Sequence, residues 1–257
     1  MRKAIQIAEN LISQHKERKR FTNLTDELRP TSTEEAYLAQ FEFQANCSRG
    51  ALAGFKIGLT SVAQQKLCGI DSPIAGGIFL KEIYPSTHQI RLEDYHGLGI
   101  EFELALKISK DINPSETKFS SLNLLSYIDS IYPAFELIID RNADYQNLDA
   151  LSLIADNAWS AGVILGNPIP NWESLQINEL NSTLFWNSEP ALRAQIKSAN
   201  PLRSLEWVVN HLGKMGQKIP KDSLIMTGSV LQTRKPLKGD KITYKIENLS
   251  KVEVAIS

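Results

Sequence analysis

The chain has 257 residues, with 28 Lys and Arg against 29 Asp and Glu and a net charge of -1. That length suits one large domain, or a domain with a modest helical attachment, and can bury a core without disulfides or a structural metal. The near-even charge excludes the basic surface a nucleic-acid partner requires, and the N-terminal MRKAIQIAEN brings charges back before any apolar run forms, so neither a signal peptide nor a membrane span is expected.

Ala4, Ile5, Ala8, Leu11 and Ile12 recur at helical spacing and predict an amphipathic first helix ending near Arg20. The basic run Lys16, Arg18, Lys19 and Arg20 reads as its solvated end. Residues 21–30 mix Asn, Thr, Asp and Pro and predict a connection. Ser32-Thr33-Glu34-Glu35 has the pattern of a capping box, in which a hydroxyl and a later carboxylate satisfy orphan amides. A second helix follows through Ala36, Leu38, Ala39 and Phe43 and ends before Gly50. Residues 1–48 are therefore expected as a helical N-terminal section and residues 49–257 as the body that carries the site.

Beyond Gly50 short apolar runs alternate with glycine and proline. Residues 53–59, 77–80, 100–108, 163–166, 224–227 and 241–256 predict strands, the last preceded by the turn Leu237-Lys238-Gly239-Asp240. Residues 62–67, 122–131, 151–154 and 202–212 predict helices, with Pro201 at a first turn. The order of elements does not alternate regularly enough for a doubly wound sheet or a barrel of strand-helix units. The expected class is α+β with a mixed, largely antiparallel curled sheet. Cys47 and Cys68 show no metal-ligand spacing and fit a reducing, cytoplasmic compartment.

Five segments carry chemistry. In Gly99-Ile100-Glu101-Phe102-Glu103-Leu104 the apolar and polar residues alternate, so Glu101 and Glu103 project from the same face of a strand. Like charges that close repel unless a cation lies between them, and carboxylate oxygens suit hard ions such as magnesium or manganese. Glu136 interrupts the apolar run Pro133-Ala134-Phe135-Glu136-Leu137-Ile138, where a lone carboxylate is expensive and calls for a basic side chain or a metal. Lys56 interrupts Gly54-Phe55-Lys56-Ile57-Gly58 in the same way and needs an anionic partner. The small and polar stretch Asp156-Asn157-Ala158-Trp159-Ser160 suits backbone close to a ligand, or a simple turn. Met226-Thr227-Gly228-Ser229 places a hydroxyl and a glycine at a strand end, where they can bind a carboxylate or form an ordinary turn.

Together these segments resemble the hydratase/decarboxylase branch of the fumarylacetoacetate hydrolase superfamily, and the resemblance begins near Glu35-Ala36-Tyr37 and Gln40 and extends past the helix around Trp207. It implies a mixed β-sheet roll of the family's C-terminal type, with a helical N-terminal section. It further implies a magnesium or manganese ion on Glu101, Glu103 and Glu136, and Lys56 in the active site. Ser160, Thr227 and Gly228 are the expected substrate contacts, with Asp156 orienting its neighbours. The implied activity is a metal-dependent lyase for a small 2-oxo acid: hydration of a 2-hydroxy-2,4-dienoate to a 4-hydroxy-2-oxo acid in the breakdown of aromatic compounds. Alternatives on the same fold are a 4-oxalocrotonate-type decarboxylase, an acylpyruvate hydrolase and an oxaloacetate decarboxylase or tautomerase; an alternative of another class is a non-catalytic acid-binding or assembly subunit. The resemblance also implies a homo-oligomer and association with a related pathway enzyme. Two positions depart from it: Ile74 stands where hydratases of this branch usually carry an acid, and Trp159 where the family often has a small residue, which would alter the pocket.

Overall fold

The computed structural model describes residues 2–114 and 117–257. Its first helix, α1 (Arg2–Lys16), stops short of Arg20 and buries Ala4, Ile7, Ala8 and Leu11, while Ile5 faces solvent. Counting back from Leu11 in helical steps reaches positions 8, 7 and 4, so Ile7 takes the place expected of Ile5. In α2 (Thr33–Asn46) the Ser32 hydroxyl caps the first turn by accepting from the Glu35 amide at 3.2 Å. Only this half of the expected box forms. The Glu35 carboxylate turns instead to the Thr31 amide at 2.7 Å and to the Lys3 ammonium at 3.1 Å, which ties α2 to α1. The two helices share a small core that includes Ile7, Leu11, Leu24, Phe43 and Ala155.

The body contains strands β1 (Leu52–Gly58), β2 (Ile74–Phe79), β3 (Ile83–Pro85), β4 (Gln89–Ile90), β5 (Leu98–Ile108) and β6 (Ile128–Ile139). They are followed by β7 (Ser160–Leu165), β8 (Asn181–Trp186), β9 (Leu192–Gln195), β10 (Leu224–Met226), β11 (Lys241–Ile246) and β12 (Ser250–Ile256). Helices α3 (Val62–Leu67), α4 (Ser121–Leu124), α5 (Ala150–Ala155) and α6 (Pro201–Lys214) lie between them. A seven-stranded sheet runs β2-β1-β10-β5-β6-β7-β3 and a five-stranded sheet runs β4-β12-β11-β8-β9. The pairs β1/β10, β3/β7 and β4/β12 are parallel and the others antiparallel, so the mixed, largely antiparallel α+β expectation holds. The sheets meet through aromatic rings: Phe102 of β5 lies 6.0 Å from Phe135 of β6 and 5.9 Å from Tyr244 of β11.

The helix expected over residues 122–131 is a correction. α4 ends at Leu124, a short 3-10 turn covers Leu125–Tyr127, and β6 begins at Ile128. β5 offers a long edge that pairs with β6 from Ile128 to Ile139, and this pairing takes residues 128–131 into the sheet. The short strands β3, β4, β8 and β9 carry too weak an alternation to be read from the sequence. No helix among the described residues is long and apolar enough to cross a membrane.

Two features of the fold are testable. β1 and β10 approach so closely at Gly54 that a Cβ there would lie 2.1 Å from the Leu224 carbonyl oxygen. Gly54→Ala should therefore cost about 1–3 kcal/mol or more by chemical denaturation, because the obstacle is backbone; unchanged stability would contradict the strand pairing. The His211 ring packs between Tyr37 of α2, at 4.6 Å, and Trp207 of α6, at 4.5 Å, with Nε2 unpartnered. Burial, with Lys214 adding to it, pushes His211 down to about 4 from an ordinary value of 6.5. The folded state thus resists the proton more than the unfolded state does. This contribution is complete above pH 6.5 and is lost as pH falls toward 4. His211→Phe should remove on the order of 2 kcal/mol of the stability that the wild type loses between pH 7 and pH 4; parallel stability curves for the two proteins would show that the ring is not buried in the neutral form.

Candidate metal centre and its cavity

β5 and β6 pair in a register that sets Phe102 opposite Phe135 and Glu101 opposite Glu136. Alternation along each strand turns the two phenylalanines toward the inter-sheet core and the three glutamates, Glu101, Glu103 and Glu136, to the other face. One oxygen from each carboxylate lies within 4.8 Å of the others. Glu103 and Glu136 are buried and Glu101 is half-buried.

Lys56 reaches this group because β10 is short. The last paired positions are Phe55 with Ile225 on one side and Ala105 with Met226 on the other. Beyond them β10 no longer separates β1 from β5, and Lys56 Nζ crosses the gap to lie 2.7 Å from Glu136 Oε1. The chain leaves β10 through Gly228, whose φ of 96° is a left-handed conformation that side chains rarely adopt. That turn aims the Gly228 amide at Glu103 Oε2, at 2.8 Å. The Thr233 hydroxyl donates to Glu101 Oε1.

The electrostatics follow from burial. Loss of water, then the charges of Glu136 and Glu101, push the Glu103 carboxyl well above the usual range. Burial also pushes Glu136 up, to about 7, against the pull of Lys56. Burial alone would lower Lys56, but the Glu136 and Glu101 carboxylates outweigh it and hold the ammonium above its ordinary value. Donors are short: Glu103 Oε1 and Glu136 Oε2 receive no hydrogen bond, and Glu136 Oε1 has only the Lys56 ammonium, 2.7 Å away. Buried oxygens without donors, in a cluster with one ammonium for three carboxylates, fit a hard divalent cation. Glu101, Glu103 and Glu136 are the residues able to hold it.

The centre opens into a cavity of about 830 Å³ whose wall includes Lys56, Glu101, Tyr145, Trp159, Gly228 and Thr233. Ile74 also lines it, so an apolar side chain occupies the position where the resemblance anticipates an acid. Thr227 and Ser160 do not line it. Thr227 is buried and gives its hydroxyl to the Leu104 carbonyl at 2.8 Å; Ser160 is buried at the start of β7, where its carbonyl accepts from Arg49 at 2.6 Å. Both are enclosed by the sheet, which withdraws them from a ligand. None of the four histidines is on the wall: His15 contacts Asp156, His88 stacks on Tyr84 and His211 lies between α2 and α6, while His96 stays off the wall with a buried, unpartnered Nδ1.

Asp156 braces the far side of the cavity. It accepts from Arg141 Nη2 at 2.7 Å and lies 2.6 Å from His15 Nε2. Burial would raise its pKa, but His15 and Arg141 outweigh that and hold it low. The next three residues, Asn157, Ala158 and Trp159, all have left-handed backbones, with φ of 54°, 49° and 59°. Non-glycine residues adopt this region at a cost and keep it only when their surroundings impose it. Here Asn157 is clamped by Gly77, whose amide donates to Oδ1 at 2.7 Å and whose carbonyl accepts from Nδ2 at 2.9 Å. Gln44 of α2 donates to the same Oδ1 at 2.8 Å. The clamp presents Ala158 and Trp159 to the cavity. Sequence reasoning missed Asn157 as a clamp, and Tyr145 and Thr233 altogether, because single polar residues in connections carry no periodic signal.

Comparisons with known proteins bear out the likeness drawn from the sequence. No family model matches the chain. It is 26% identical over 211 residues to the 2-keto-4-pentenoate hydratase of Paraburkholderia xenovorans, covering 80% of this chain and 77% of that protein. It is 27% identical over 224 residues to the 4-oxalocrotonate decarboxylase of Pseudomonas putida, covering 85% and 83%. A 4-oxalocrotonate decarboxylase from Pseudomonas putida G7, complexed with magnesium and adipate, superposes with a TM-score of 0.89 over 99% of this chain and 97% of that one, at 23% identity.

Asn157→Ala removes both the acceptor for the Gly77 amide and for Gln44 and the donor to the Gly77 carbonyl. It should destabilise the protein by about 1–3 kcal/mol and speed amide exchange at Gly77. Unchanged exchange there would show that Asn157 does not hold the turn.

Proposed function

We propose that this chain, a member of the hydratase/decarboxylase branch of the fumarylacetoacetate hydrolase superfamily, is a divalent-metal-dependent lyase that hydrates a 2-hydroxy-2,4-dienoate, the dienol of a 2-oxo-4-enoate, to a 4-hydroxy-2-oxo acid in the breakdown of aromatic compounds. The observation that carries this reading is the meeting of three carboxylates and one lysine at an open cavity, with buried carboxylate oxygens that no protein donor satisfies. Homo-oligomeric assembly, association with a related pathway enzyme and a cytoplasmic location belong to the same proposal.

A magnesium or manganese ion held by Glu101, Glu103 and Glu136 would supply a Lewis acid for negative charge developing on the substrate's C2 oxygen. Lys56 is the one ammonium on the cavity wall among the described residues. It contacts the C1 carboxylate, or carries the proton that the terminal carbon of the dienol gains. Water then adds across the resulting enone, hydroxyl to C4 and proton to C3. With Ile74 in place of an acid, proton traffic falls to Lys56. Gly228 spends its amide on Glu103 and so orients a carboxylate rather than the substrate. Its bare α-carbon keeps the wall clear beside Thr60, whose Cγ2 would lie 2.9 Å from an added Cβ.

The absence of a histidine from the wall weighs against an acylpyruvate hydrolase, which needs a base to activate water. A non-catalytic acid-binding subunit has no use for a buried acidic cluster that costs stability.

The test is Glu101→Gln and Glu103→Gln, each titrated with manganese and assayed on 2-hydroxypenta-2,4-dienoate. Each should weaken manganese binding at least about tenfold and cut turnover by about 100-fold or more, with circular dichroism unchanged. Chelation of the wild type should abolish turnover, and magnesium or manganese should restore it. Full turnover and unaltered metal affinity in both variants would refute the assignment.

A further inference from the structure

This inference rests on the lyase reading and adds the chemical character of the substrate's far end. The cavity wall carries a single cationic side chain among the described residues, Lys56, which is already 2.7 Å from Glu136. Three carboxylates, one ammonium and a divalent ion come to neutrality. The head of a 2-oxo acid, its C1 carboxylate and C2 oxygen, therefore uses the available positive field, and a second carboxylate finds no counter-charge. Lys235 and Arg234, which follow the wall residue Thr233, are taken up by Asp140 at 2.7 Å and Glu189 at 2.9 Å. Arg29 and Lys66 are off the wall. They line a separate groove of about 690 Å³ that meets the cavity only at Leu67, Cys68 and Leu148. Arg29 is itself exposed and lies 3.9 Å from Asp149.

Much of the rest of the wall is hydrocarbon, with Leu59, Leu67, Leu148, Leu153 and Trp159 among its residues. Its remaining polar groups, such as Ser61, Gln64, Ser198 and Gln232, are uncharged. Trp159 is fixed there by the left-handed turn and by edge contacts with Phe21 at 5.1 Å and Tyr145 at 5.7 Å. A volume of about 830 Å³ falls in the upper part of the range for drug-sized ligands, well beyond the needs of a five-carbon acid. A lone carboxylate against such a wall loses its water without a partner, whereas an apolar tail gains from the same transfer.

We infer that the substrate is a monocarboxylic 2-oxo acid, or its dienol, with an alkyl or aryl tail lying against Leu67, Leu148, Leu153 and Trp159. Diacids are discriminated against. Loss of carbon dioxide from this substrate type needs a second carboxylate as the departing group, so the same wall favours addition of water.

The experiment measures kcat/KM of the manganese-loaded full chain on 2-hydroxypenta-2,4-dienoate, on its 5-methyl, 5-propyl and 5-phenyl derivatives, and on 2-hydroxyhexa-2,4-dienedioate. The expected result is a rise of roughly threefold per added methylene and at least a tenfold preference for the 5-propyl or 5-phenyl acid over the diacid. Leu148 is half-buried at the rim. Leu148→Arg should narrow or reverse that preference, while Leu148→Met should keep the wild-type order. A diacid used as well as the tailed acids, or a flat response to tail length, overturns the inference and leaves the lyase reading standing. Failure to turn over any 2-oxo acid, with no binding of manganese and oxalate, brings down the lyase reading itself.

Discussion

The burial of three carboxylates beside one ammonium is the constraint around which this protein is arranged. Glu103, Glu136 and Lys56 are almost wholly removed from water, and an uncompensated charge in such a place is expensive. The fold meets part of the demand. The turn after β10 gives Glu103 a backbone amide, Thr233 gives Glu101 a hydroxyl, and Lys56 stands against Glu136. The rest is left open at two buried carboxylate oxygens, Glu103 Oε1 and Glu136 Oε2. Unmet carboxylate oxygens separate this cluster from the equally buried pair of Arg141 and Asp156, where Arg141 at 2.7 Å and His15 at 2.6 Å meet both carboxylate oxygens and the unpartnered atom is Arg141 Nε.

The strand architecture makes the convergence possible. In the seven-stranded sheet β5 has β6 on one side and β10 on the other, with β1 beyond β10. The three-residue length of β10 allows a side chain from β1 to reach one on β6. The opposite face of the same strands carries Phe102 and Phe135 into the aromatic contacts that hold the two sheets together. One period-two alternation therefore serves stability on one side and chemistry on the other.

The helical front section is part of the cavity's support. α2 reaches the body through Gln40, which donates to the carbonyls of Ala75 and Ile154, and through Gln44, which joins the Asn157 clamp. α1 contributes His15 to Asp156. These contacts tie the left-handed turn that carries Ala158 and Trp159 to both helices of the front section. The neutral character of the wall there and the apolar Ile74 shape the site as much as the carboxylates do: the latter define where a 2-oxo acid head can sit, the former what can follow it.

Local pattern was enough to mark Glu101 and Glu103 as neighbours on one face, since side chains two apart in a strand must point the same way. It was also enough to single out Glu136 and Lys56, because a charge inside an apolar run demands a partner. The α+β class, the main helices and the longer strands followed from periodicity, but the short strands β3, β4, β8 and β9 did not, and over residues 122–131 the pairing edge offered by β5 overrode a helical pattern. Periodicity did not convey which partners meet. That Lys56 faces Glu136, that Asn157 grips Gly77, and that Thr227 and Ser160 are enclosed while Tyr145 and Thr233 face the cavity depend on strand register, on where β10 ends and on how the front helices dock. Those are contacts between residues far apart in the chain, and the only force that selects them is the packing of the whole fold.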